Sequence, residues 1–311
     1  MLGFLIRRFA AGLATLFIIA VFSFCFTRLA PGSPFSSERQ LHPEIIKAYE
    51  QYYGLDKPLY VQFWRALKGY VRFDFGPSTM YRGRSVNEYI EPGLGKSIQL
   101  GFLGAVFAFL IGLPLGVFAS AHQNRIPDHA AMSVATLGIC VPNFLLGPLL
   151  VQLFSLKWKW LPSALWPEDG SLKELSKLIL PTITLAMVHI AYISRLGRAG
   201  MLDVMNKDYI RTARAKGLNE WTVFVKHGLK NGVTPVVSYA GPMVALVLTG
   251  SIVVEKVFAI PGLGQHFVNG ALNRDANMIM GCVLVYSALV IAFNFVVDVI
   301  YGLLDPRVRV S

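Results

Sequence analysis

Charge is scarce in this chain. Only 15% of its 311 residues are Asp, Glu, Lys or Arg, and the mean hydropathy is +0.51. Soluble domains carry about a quarter charged residues, so the balance excludes an ordinary soluble protein. Acids are scarcest: 18 Asp and Glu stand against 29 Lys and Arg, for a formal net charge of +11. The cations lie scattered between apolar runs, with no basic stripe interleaved with aromatics, which excludes a nucleic-acid partner. Cysteine is almost absent. Cys25, Cys140 and Cys282 all fall inside apolar runs, as small packing residues do, and they form no disulfide framework. The chain has no GxxxxGK[ST] loop to cradle nucleotide phosphates, no HExxH and no GxSxG, and its histidines lack ligand spacing. It is expected to hold no metal or cofactor and to catalyse no reaction of its own.

Long apolar runs are what the chain does have. Six uncharged stretches, at 9–27, 97–121, 130–156, 178–194, 231–254 and 276–297, approach the roughly 20 residues that cross a hydrocarbon core. A charge at a helix centre would cost roughly 2.5–3.5 kcal/mol on the insertion scale, so their charge-free composition is informative. The expectation is an all-α polytopic membrane protein with six transmembrane helices. The first run is too long for a signal-peptide core and no small-residue cleavage site follows, so it reads as an uncleaved span.

Short loops on one side carry Arg7, Arg8, Arg125, eight cations from Arg195 to Lys230, Arg307 and Arg309. Those on the other carry Lys157, Lys159, Lys173, Lys177, Lys256 and Arg274. The positive-inside rule then places both termini in the cytoplasm. The chain divides into a first span (1–29), an external segment (30–96) and a five-span core (97–311) with a cytoplasmic loop at 195–230.

In the external segment, HPEIIKAYEQYYG carries Pro43 at a helix start and Gly54 at its stop. Asp56 can cap a second helix with an apolar stripe at Val61, Trp64, Leu67 and Val71. The spans contain Pro114, Pro142, Pro148, Pro181, Pro235 and Pro242, each freeing a carbonyl that needs another partner in lipid. No internal repeat is visible, which weighs against repeat-built secondary transporters.

One stretch, DYIRTARAKGLNEW (208–221), is out of keeping with its surroundings. Asp208 can cap a short helix beginning at Tyr209, and Gly217 can end it in the left-handed conformation, with Leu218 packing back on Ala213. Lys207, Arg211 and Arg214 share one side, with Lys216 in the last turn, while Ile210, Ala213 and Gly217 share another. Isolated helices below about 12–15 residues are marginal in water, so this one must dock on something. A second helix, begun by Asn219, sets Trp221, Phe224, Val225 and Leu229 along one stripe. Plain positive-inside topology explains the charges equally well, and does not require a docking role.

His189 and Asp298 are the intramembrane polar candidates, for the path or for structure. Asp298 favours an ion pair near the interface. A proton-coupled symporter could use either residue but leaves the basic helix unexplained. An intramembrane carboxylate protease would need a second acid, and a passive scaffold would not need the helix.

The 208–221 segment resembles the cytoplasmic loop of permease subunits in binding-protein-dependent, ATP-driven importers, in its peptide-transport form DYxRTARAKGL. The motifs LAPGSPF (29–35), GLDKPL (54–59), DFGPS (74–78), PLGVFA (114–119), VVEKVFAIPGLGQ (253–265), FVNGALNRD (267–275) and LDPRVR (304–309) follow in the same order. Aligned on Gly217, the family's EAA triplet falls on Arg211, Thr212 and Ala213, and its acidic first position is absent. The resemblance is strongest to the oligopeptide branch.

It implies a type I ABC importer membrane domain in a bacterial inner membrane, forming half of a pore beside a second permease subunit. Two ATPase subunits would bind ATP and Mg and receive Asp208, Tyr209, Ile210, Arg211, Ala213, Arg214, Lys216, Gly217 and Leu218. An external peptide-binding protein would dock above, with Pro261, Gly262, Arg274 and Asp275 as contact candidates. Oligopeptides are the implied substrate; dipeptides, wall peptides, glutathione and nickel complexes remain alternatives.

Overall fold

The computed structural model describes residues 2–29, 44, 51, 54–81, 83–163, 165–248 and 251–304. The expected helix over HPEIIKAYEQYYG and the cations Arg307 and Arg309 lie largely outside these. The described residues are almost wholly helical. Five helices are long and apolar enough to cross a membrane: Leu5–Leu29, Asn87–Ala121, Leu172–Met205, Thr234–Val257 and Ala276–Val299. The third expected span is instead a pair, Ile126–Cys140 and Asn143–Lys157, bent by 108°. Pro142, in extended conformation before the second helix, has no amide hydrogen to continue the ladder, and the chain turns there.

Two compact units emerge, residues 1–98 with 259–311 and residues 99–258. In the first, helix α1 (Leu2–Leu29) packs along the C-terminal helix, α12 (Ala276–Leu304). Phe9 meets Phe295 edge-on at 6.2 Å, and Arg8 pairs with Asp298. Helix α2 (Leu59–Val71) rests on α1 through Phe63, whose ring lies 5.3 Å from Phe24 and 6.3 Å from Phe17. The expected stripe is displaced, since Trp64 and Val71 are exposed. Phe63 sets the rotation of α2 because its ring buries more area against α1 than Val61 or Val71 could.

The DFGPS turn and the start of α3 (Asn87–Ala121) close a small core of Phe75, Val86, Ile90, Leu263, Met278 and Cys282. Helix α3 begins in this unit and continues into the second.

In the second unit, α4 (Ile126–Cys140), α5 (Asn143–Leu150), α9 (Thr234–Leu248) and α10 (Ile252–Val257) all contact one long helix, α6 (Ile179–Met205). Most of the apolar positions of α6 are turned to protein rather than lipid, including Leu180, Leu185, Ile190, Ile193 and Met201. That is why its uncharged run is the shortest: a helix lined by neighbours can carry His189, Ser194 and Arg198. Asp128, at the start of α4, is buried and takes a fork of two 2.6 Å hydrogen bonds from Arg198, with the Asn124 amide donating at 2.9 Å.

Candidate coupling site

Between α6 and α9 the chain leaves the long helices and folds into helix α7 (Asp208–Ala215) and a second helical run, α8, over residues 220–232. Asp208 opens α7 as its first residue rather than its cap; Lys207 occupies the cap position without a side-chain bond. The Asp208 carboxylate is 96% exposed and lies 3.5 Å from Arg211, while Lys207 pairs with Asp203 at 3.1 Å. A carboxylate in the first turn favours the helix through the dipole without bonding an amide.

Ile210 and Ala213 are buried with Val204 and Val223 in a small cluster of their own. Gly217 is not part of that packed face. It sits exposed at φ +76°, with nothing within 4 Å of where a Cβ would stand. The left-handed conformation alone selects glycine here.

Asn219 caps α8 by accepting the Thr222 amide at 2.8 Å. The expected stripe through Trp221, Phe224, Val225 and Leu229 does not form. Residues Val223–Leu229 are π-helical, so the buried positions fall five apart, at Val223 and Gly228. Trp221 is left 75% exposed beside α7 and Val225 is also exposed. A 3.6-residue period could not reveal this. The signal available was a lone tryptophan two residues after a cap residue.

Two polar links brace the pair: Arg214 forks onto Glu220, and Asn231 Nδ2 donates to the Tyr209 hydroxyl at 3.1 Å. Behind them, α8 lies directly on α6. A Cβ on Gly200 would stand 2.2 Å from the Gly232 carbonyl oxygen, and one on Gly228 would meet Met205 Sδ at 3.0 Å. Contact this close leaves little free space between α8 and α6. The outward face of α7 and its turn presents Asp208, Arg211, Lys216, Leu218 and Trp221. It is a short face carrying two cations, backed by a tight apolar cluster.

The other candidates fall elsewhere. His189 Nδ1 lies 2.9 Å from the Tyr239 hydroxyl, and the Tyr239 and Tyr192 rings are 5.7 Å apart. Asp298 is held by Arg8. Asp275 is fully buried and accepts from Ser78 Oγ, from the Met80 amide at 3.1 Å and from the Met278 amide at 3.1 Å. Its carboxylate organises a turn and does not face outward, whereas Arg274 is exposed with φ +55°. Gly262 is buried and Pro261 half-buried, and the loop is fastened where the Leu263 amide donates to Ser97 Oγ at 3.0 Å. No metal-holding cluster occurs among the described residues.

A polytopic helical membrane protein with a short basic helix between two long apolar helices defines the class. The chain belongs to the family of binding-protein-dependent transport system inner membrane components. Residues 112–310 match the family's model, and residues 1–99 match that of its N-terminal part. It is 44% identical over 309 residues to the dipeptide transport system permease protein DppB of Bacillus subtilis, covering 99% of this chain and 98% of the relative. It is 40% identical to the oligopeptide transport system permease protein OppB of Haemophilus influenzae, covering 99% and 100%.

Among solved structures, an inward-facing MetNI methionine ABC transporter matches with a TM-score of 0.57 at 18% identity, over 70% of this chain and 96% of that one. The fold is therefore that of a type I ABC importer membrane domain. The chain is a transport pore component and not an enzyme.

Proposed function

We propose that this subunit forms half of an oligopeptide import pore and receives the work of ATP hydrolysis through α7. The observation that carries the coupling role is the rigid link from the exposed basic face of α7, through the Arg214–Glu220 fork, to the Gly200–Gly232 contact on α6. Two ATPase subunits bind beneath, hold ATP and Mg, and accept Asp208, Tyr209, Arg211, Arg214, Lys216 and Leu218, with Trp221 added to the expected set. Ile210 and Ala213 hold α7 from behind. Gly217 forms the elbow.

A second, similar permease completes the pore, while His189, buried and bonded to Tyr239, serves the packing of this subunit. Both termini are cytoplasmic, and the external 30–96 segment with Pro261, Gly262 and Arg274 faces a peptide-binding protein. The names of the relatives support peptides as cargo, and the order of sequence motifs favours the oligopeptide form over dipeptides, glutathione or nickel complexes.

ATP binding does work only if it favours one of two pore states, so closure of the ATPases must bias α7 between two positions. The test is uptake of labelled peptides into vesicles holding the whole transporter. Uptake that requires ATP and the binding protein, and persists when the proton gradient is collapsed, is expected. Uptake that follows the proton gradient without ATP would contradict the proposal.

A further inference from the structure

A cavity of about 370 Å³ lies in the first unit where α1 ends and α2 begins, and its lining is strongly basic. Arg28, Lys57, Arg65, Lys68 and Arg72 contribute five cations, against one carboxylate, Asp74, whose Oδ1 already accepts the Gly76 amide at 2.9 Å. Among the described residues, none of the five is in an ion pair. Two buried polar atoms of opposite kind also lack partners there. Arg28 Nε is a donor without an acceptor, and Gln62 Oε1 is an acceptor without a donor. The Gln62 amide nitrogen is fixed by the carbonyls of Leu55, at 3.1 Å, and Lys57, at 2.7 Å, so Oε1 cannot rotate away.

Buried polar atoms are seldom left unpaired, and leaving them so is costly. A ligand that satisfies both must bring an anionic acceptor and a hydroxyl donor on one small frame. Arg28 stands in the last turn of the first span with its guanidinium 5.4 Å over the Phe24 ring, so the cavity opens at the level where hydrocarbon gives way to water. Tyr70 adds a hydroxyl that burial pushes up to about 12, so it remains a donor at any physiological pH.

We infer that this cavity binds a glycerol phosphate group: its phosphate against Arg28, Arg65 and Lys68, and a hydroxyl on Gln62. At that depth the source is the head group of an anionic phosphoglycerol lipid, and free glycerol phosphate is the other source of the same chemistry. The lipid would tie the end of α1 to α2 and steady the external segment.

The test is native mass spectrometry of the intact transporter with phosphatidylglycerol or phosphatidylcholine added. It is run on the wild type and on a variant carrying Arg65→Gln and Lys68→Gln. Both side chains are exposed on α2, and an unchanged thermal midpoint confirms that the variant folds. Two neutralised cations near a membrane surface are expected to weaken phosphatidylglycerol binding about thirtyfold, with phosphatidylcholine hardly retained by either protein. Binding of free glycerol phosphate, lost in the variant and without lipid retention, would support the site and assign the soluble source. Equal retention of both lipids by both proteins, with no glycerol phosphate binding, would overturn it.

Discussion

Arg214 reaches over the Gly217 turn and grips both carboxylate oxygens of Glu220, with Nε to Oε1 at 2.9 Å and Nη2 to Oε2 at 3.2 Å. The fork spans the turn between α7 and α8 and ties one helix to the other. Exposed pairs contribute about 0.2–1 kcal/mol, so its value lies in geometry rather than stability. Arg214→Glu should therefore leave membrane levels near wild type while lowering uptake several-fold. Adding Glu220→Arg should restore part of that uptake. Equal uptake in the single and double variants, measured in cells lacking the native subunit, would deny the fork its role.

Gly217→Val tests the elbow itself. A left-handed position costs an L residue roughly 1–2 kcal/mol, and a β-branched one more. Because space around the Cβ is open, the backbone alone is perturbed. Uptake should fall sharply while insertion persists, and Gly217→Asn should be milder. Unimpaired uptake by the valine variant would show that the turn is free to rearrange.

Gly200→Ala addresses the contact behind the elbow. Its methyl would meet the Gly232 carbonyl oxygen at 2.2 Å, a backbone atom that cannot swing aside. Overpacking of this kind costs about 1–3 kcal/mol, and here it also prises α8 from α6. A lower thermal midpoint with reduced peptide-stimulated ATP hydrolysis is expected, and Gly170→Ala, in open space, serves as the neutral control.

Asp128→Ala removes the buried side of the fork to Arg198 and should destabilise the subunit by about 1.5–3 kcal/mol, since the half-buried guanidinium loses its charged hydrogen-bond partner. Asp128→Asn keeps the shape and should cost less. Thermal unfolding of the purified subunit separates the two; similar midpoints for alanine, asparagine and wild type would mean that the pair contributes little.

His266, in α11 (Leu263–Leu272), has its imidazole held below the usual value, chiefly by burial and further by the Lys96 charge. Its ring packs edge-on to Tyr89 at 5.6 Å. A folded value below the unfolded one of about 6.5 means that the unfolded chain binds the proton first. Stability is then fully present above about pH 6.5 and is lost as pH falls from there through the lower folded value. Wild type should lose more thermal stability than His266→Gln between pH 7 and the acid end of that window. Parallel curves would count against it.

Local features were legible in the sequence and distant pairings were not. The end of α7 and the start of α8 could be read because Gly217 and Asn219 are local stop and start signals. The inward face of Ile210 and Ala213 could be read because an ordinary helix repeats every 3.6 residues. The exposure of Trp221 is not legible from a 3.6-residue period because a π-helical run follows it. The bend at Pro142 was visible only as a proline in an apolar run. The burial of Asp275 is not legible because its partner Ser78 lies 197 positions away, and Asp298 finds Arg8 across 290. The burial of Asp128 is not legible because it stands just ahead of the charge-free run beginning at 130 and its partner Arg198 is 70 positions away. The basic cavity at α1 and α2 is not legible in the sequence because Arg28 and Arg65 share a site only once Phe63 has fixed the rotation of α2.

The central claim is that α7 docks on separate ATPase subunits, and copurification tests it most directly. The subunit is tagged at Ser311 and recovered from its native membrane, as wild type, with Arg211→Glu plus Trp221→Ala, and with 208–217 replaced by a flexible linker. The account predicts a second permease and ATPase chains with the wild type, fewer ATPase chains with the double variant and none with the linker, the permease partner being kept in all three. Equal recovery of ATPase chains from the wild type and the linker protein would contradict it.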